Sequence, residues 1–153
     1  METRPFTFRL ERVRVVRERL EDQAKEHLAA SMTHRLNGEA LLHAATDELD
    51  SARETRVETL TSGVASGNDI LAAQAYLERA QRMREARALE LDRRYTEVAA
   101  RRAALTAAAR ERQVLERLKE RRRDDHRREA KRQEGAALDE LALGVHRRGE
   151  QMS

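Results

Sequence analysis

The chain has 153 residues, 39% of them charged and 39% hydrophobic but only 3% aromatic, which supplies one apolar stripe and too few large rings for a thick globular core. Its 31 basic and 28 acidic residues are interspersed and leave a net charge of +3, the pattern of a solvated helix surface rather than of a nucleic-acid footprint. The absence of cysteine excludes disulfides, thiolate zinc sites and cysteine nucleophiles together. No run approaches the roughly 18 apolar residues of a membrane span, and the start METRPFTFRLERVR lacks the apolar stretch of a secretory signal, so a cytoplasmic protein with no direct membrane insertion is expected. Six glycines and one proline, Pro5, leave long tracts of Ala, Leu, Arg and Glu unbroken, and these residues lose least on entering a helix. The expected class is all-α.

The first element is a helix over about residues 6–61. Leu10, Val13, Val16, Leu20, Ala24 and Leu28 step by three or four, and Leu42, Ala45, Leu49 and Ala52 continue the stripe. Asn37-Gly38 offers a turn that would make a three-helix bundle. Leu28 and Leu42, however, are two heptads apart, so the stripe keeps its phase across the glycine and a continuous helix is expected, weakened at Gly38 by about 1 kcal/mol relative to alanine. The cluster TSGVASGND at 61–69 marks a turn over about 62–68. Ser66 followed by Asp69 has the spacing of a capping box, with Asn68 as a rival N-cap. A second helix over about 69–148 then carries Leu77, Arg84, Ala88, Leu91, Tyr95, Val98, Leu105 and Ala109 at heptad spacing. The two helices share a seam as a long antiparallel two-helix coiled coil, a single elongated α-hairpin spanning 1–153.

Equal rise along both helices gives the register. With the turn centred near residue 65, antiparallel partners should have numbers summing to about 130, and the second helix should overhang from about residue 124. The segment LKERRRDDHRREAKR at 118–132 offers a core only Leu118 and Ala130 and yet contains no helix breaker. Beyond it Leu138, Leu141, Ala142 and Val145 restore a short stripe that the hairpin itself cannot cover.

Little in the chain suggests catalysis. His27 and His34 lie seven apart, His43, His126 and His146 elsewhere, and no pair has the i,i+4 spacing of a helical zinc site. Carboxylates are abundant, but no cleft is expected that would desolvate a pair and separate their pKa values. No enzyme activity and no cofactor are expected. Between 110 and 132 arginine and lysine outnumber acids, but the acids are threaded through them, whereas a phosphate-binding face would be cleared of carboxylates. The cluster reads as a solvated surface or as a surface for docking protein.

Three patterns, in this order along nearly the whole chain, resemble the FliJ family of flagellar type III export. They are Phe6, Phe8, Leu10, Glu11, Val13, Arg17, Glu21, Ala24 and Leu28; Tyr76-Leu77 after the turn; and Leu115-Glu116, Leu118, Glu120-Arg121 through Leu138-Asp139-Glu140-Leu141-Ala142. Gly38, Gly144 and Gly149 depart from that pattern. The resemblance implies a stalk that docks at the centre of the hexameric flagellar export ATPase, links it to the export gate membrane protein, and assists export chaperones. On that reading the ATPase-docking candidates are Arg121, Arg122, Arg123, Arg127, Arg128, Leu138, Leu141 and Val145. The gate-facing candidates are Leu41, Ala45, Glu48, Ala52, Tyr76, Ala80, Met83 and Arg87, with Tyr76 equally placed to be a seam residue. The alternative is a basic coiled-coil adaptor that self-associates or binds nucleic acid without an ATPase.

Overall fold

A computed structural model describes residues 4–152, which form two helices, α1 (Glu11–Thr61, 51 residues) and α2 (Gly67–Gln151, 85 residues), with no strand among the described residues. The class is the expected all-α hairpin. Helix α1 passes through Asn37-Gly38 without a break. It starts later than the sequence suggests, because Pro5 sits in a non-helical lead-in over residues 4–10, where the Glu11 amide donates to the Phe8 carbonyl at 3.1 Å.

The turn is built by its small residues. The Ser62 amide closes the last turn of α1 on the Glu58 carbonyl at 3.0 Å, and Gly63 follows at φ 69°, a left-handed conformation that side chains with a Cβ rarely adopt. Ser66 caps α2: the Asp69 amide donates to Ser66 Oγ at 3.2 Å, and the Ser66 amide donates to Asp69 Oδ2 at 2.8 Å. The box is reciprocal, so α2 begins at Gly67 and not at Asp69. These bonds also hold the Asp69 carboxyl below the usual carboxylate range.

The chain divides into two compact units, one combining the described residues up to Glu21 with those from Ala108 onward, the other running from Asp22 to Ala107. In the second unit α1 buries Ser31, Gly38, Ala45 and Ala52 at heptad spacing, together with Leu49, while α2 buries Ala73, Leu77, Ala80, Leu91 and Val98. Most are small, which brings the helix backbones close. Long side chains from α2 then cross the gap. A Cβ built on Gly38 would lie 2.8 Å from Arg94 Cδ and 3.2 Å from Leu91 Cδ1, and Arg94 Nη1 donates to the His34 carbonyl at 2.8 Å. Gly38 is therefore a contact point and not the weak link that its propensity suggests. Arg87 and Arg101, also half-buried, hold the positions one heptad either side of Arg94. Tyr95 lies at the seam's margin, 46% exposed, donating to Glu39 Oε1 at 2.6 Å with the Arg35 guanidinium over its ring at 5.7 Å.

In the first unit the expected stripe is displaced. Val13, Val16 and Leu20 are exposed at 42%, 51% and 43%, while Arg14 and Arg17 are half-buried and Glu21 is buried. The reason is phase: Ala24, Ser31, Gly38 and Ala45 fix one heptad position of α1, and stepping back from Ala24 reaches Arg17 and Leu10, which leaves the valines to one side. Register agrees with the equal-rise argument in each unit, since Glu11 with Lys119, Arg14 with Glu116, and Arg35 with Tyr95 all total 130.

Gly38→Ala tests this packing. Alanine should add about 1 kcal/mol through helix propensity, but displacing Arg94 and Leu91 costs about 1–3 kcal/mol as in other overpacked cores. The variant should melt at or below the parent temperature by circular dichroism. Gly135→Ala, where nothing lies within 4 Å of the added methyl, should show no such loss.

Candidate functional site

The first unit joins the chain's beginning to the late part of α2 by charge. Arg14 is the centre: it meets Glu11 at 2.6 Å and Glu18 at 3.2 Å on its own helix, and Glu116 at 3.1 Å on α2. Lys119 reaches Glu11 at 2.9 Å, Arg17 reaches Glu111 at 2.5 Å, and the buried Glu21 accepts from Arg112 Nε. The Arg14 and Lys119 hydrogen bonds draw the Glu11 carboxyl down to about 2, from an ordinary 4.5. The same carboxylates raise Arg14, chiefly through Glu11, and Arg112, chiefly through Glu21. This ionic clasp replaces the apolar seam that the sequence suggested.

Above the clasp the lead-in lies along α2. Phe6 meets His126 edge-on at 5.7 Å with rings inclined at 61°, and the Arg123 guanidinium sits 5.8 Å from the Phe6 centroid. Between lead-in and helix runs a groove of about 630 Å³ with Phe6, Phe8, Leu10 and Leu118 among its walls and Arg4, Arg9, Arg122 and His126 at its edges. Among the described residues none of Arg4, Arg9, Arg122 and Arg123 has a carboxylate partner. The groove was not read from the sequence. Its one signal there was the pair Phe6 and Phe8, the chain's only phenylalanines, ahead of the helix.

Of the ATPase-docking candidates, Arg122 lines this groove and Arg123 lies over the Phe6 ring, while Arg121, Arg127 and Arg128 are exposed on the helix surface. Past His126, α2 continues to Gln151, and among the described residues arginines there pair with acids of their own turns, such as Arg127 with Asp124 and Arg132 with Glu129. Leu138, Leu141 and Val145 are 66%, 64% and 64% exposed, and Leu143 adds a fourth exposed apolar side chain.

The gate-facing candidates belong to the second unit and divide into two kinds. Ala45, Ala52 and Ala80 are buried in the seam, where close helix approach requires them, and offer no side chain to a partner. Leu41, Glu48 and Met83 are exposed, while Tyr76 and Arg87 are half-buried. Tyr76 packs against the cluster of Leu49, Ala52, Leu77 and Ala80, and its hydroxyl donates to Glu48, which raises the tyrosine's pKa. It is thus a seam residue with an exposed polar tip. No group of three or more metal-ligating side chains occurs among the described residues, and no helix in them is long and apolar enough to cross a membrane.

The clasp has a pH dependence with a definite sign. A depressed carboxyl stabilises the paired state above its unfolded pKa, so the Glu11 contribution should be whole above about pH 4.5 and disappear as the pH falls toward 2. Amide protection in residues 11–21, relative to the intrinsic rate at each pH, should fall over that window, and Glu11→Gln should remove part of the change.

A family model described as Flagellar FliJ protein matches residues 6–151. No curated protein and no solved structure matches the chain.

Proposed function

The chain belongs to the FliJ family, a component of flagellar protein export, and on that footing we propose that it is a non-catalytic, cytoplasmic stalk, peripheral to the membrane, joining the hexameric export ATPase to the export gate. The observation that carries this reading is the continuation of α2 beyond its last contact with the lead-in at His126, a helix extended through charged sequence and ending in an uncovered stripe. An isolated helix with little of its own to bury is retained by a partner rather than by its own packing. The overhang, with Arg127, Arg128, Leu138, Leu141 and Val145, would enter the ATPase ring, and Arg121, Arg122 and Arg123 at its base would meet the rim. Charges on such a surface steer encounter, while the leucines and valine supply the anchor.

Toward the turn, Leu41, Glu48, Tyr76, Met83 and Arg87 form the surface left for the gate protein. Ala45, Ala52 and Ala80 support it from within the seam. Export chaperones are the third class of partner. A nucleic-acid partner is not favoured, because arginines of the overhang such as Arg127 and Arg132 are already matched by acids on the same helix.

Truncation after Arg132 tests the assignment while keeping every contact to Lys119, Arg123 and His126. The truncated chain should melt within a few degrees of the full chain. It should no longer be retained by the hexameric export ATPase or stimulate its hydrolysis. Undiminished stimulation would transfer the ATPase contact to another surface. Charge reversal at Arg121, Arg122 and Arg123 should instead slow association about tenfold or more and steepen with lower salt, leaving dissociation nearly unchanged.

A further inference from the structure

The described residues of the first unit leave two surfaces uncovered, and their chemistries are complementary. One is the groove beside the lead-in, apolar within and edged by arginines that lack carboxylate partners among the described residues. The other lies farther along α2, where Glu134, Leu138, Leu141 and Val145 recur at four, three and four residues on one helix face. Residues 133–145 carry three acids, Glu134, Asp139 and Glu140, and no base. An acidic apolar segment is what an apolar groove bordered by free guanidinium groups recognises, since it covers the ring and leucine surface and brings carboxylates to the arginines.

The two cannot meet within one chain. They sit on a single unbroken helix, with Leu138 about 18 Å beyond His126 at about 1.5 Å per residue. We propose that the groove accepts residues 134–145 of a second copy of this chain, so that the free protein self-associates by placing one copy's tail in another's groove. The inference goes beyond the export reading and does not depend on it. It does make a further demand of that reading, because the leucine and valine face would be shared, and self-association and ATPase docking would exclude each other.

A mixing experiment separates this arrangement from others. The full chain should sediment as a reversible dimer or larger species at low salt and dissociate as salt is raised. A tail variant, Leu138→Ser with Leu141→Ser and Val145→Ser, and a groove variant, Arg9→Glu with Arg122→Glu, change only exposed side chains or the groove's edge. Each should be monomeric alone with unchanged helicity by circular dichroism. Mixed together they should associate again, since the tail variant keeps an intact groove and the groove variant an intact tail. A full chain that stays monomeric at millimolar concentration and low salt overturns the proposal. So does a mixture that stays monomeric while the full chain associates, because the intact groove of one variant would then have refused the intact tail of the other. Association of the groove variant alone would equally rule the groove out.

Discussion

Two helices side by side have one line of contact, and every buried side chain must come from the narrow stripe along it. That constraint decides which residues matter in each unit. Between Asp22 and Ala107 the stripe of α1 is filled with Ser31, Gly38, Ala45 and Ala52, which add little apolar area but let α2 approach closely. The close approach is then used by side chains reaching across, of which Arg94 over Gly38 is the clearest: its aliphatic stem covers the glycine and its guanidinium takes the His34 carbonyl. In the unit containing the chain's beginning, the heptad position of Leu49 leads back to the charged Glu21 and Arg14, which with Arg112 and Glu116 of α2 make an ionic interface in place of an apolar one. Such an interface is specific in its pairing and sensitive to pH and salt in a way that a leucine seam is not.

Much of this was legible from residue spacing. The helical class, the Ser66–Asp69 cap, the turn and the register near 130 follow from propensity, capping chemistry and equal helical rise, all local or geometric rules. What spacing concealed was the phase around Val13, Val16 and Leu20. Those residues make a plausible stripe by themselves, but helix phase is cooperative, and the heptads from Ala24 to Ala52 carry it back to Arg17 and Leu10. Gly38 was misjudged for a related reason. Intrinsic propensity counts the cost of a missing Cβ to its own helix and is blind to a partner passing through the space that the Cβ would fill. Among the proposed site residues, Ala45, Ala52 and Ala80 fell to the seam because helical proximity to Tyr76 does not distinguish the face turned inward from the one turned out.

The seam leaves the last part of α2 over. Among the described residues the lead-in reaches along α2 as far as His126, which Phe6 meets, and α2 goes on. Residues 127–151 have charge to keep them solvated and helical, and then an apolar face that nothing in the described chain covers. Under the proposed function that segment is held available for another protein, and membership of the FliJ family gives the class of assembly in which such a partner would be found. The groove edged by Arg4, Arg9 and Arg122 adds a second surface to the same unit that no described residue fills.

Hydrogen exchange of the full chain, read by mass spectrometry with and without the hexameric export ATPase, tests the central claim most directly. If the overhang and its base are the docking element, added protection should fall on residues 4–10 and 118–151 and leave 41–83 at its free rate. Protection confined to 41–83, with the overhang still exchanging freely, would contradict the account.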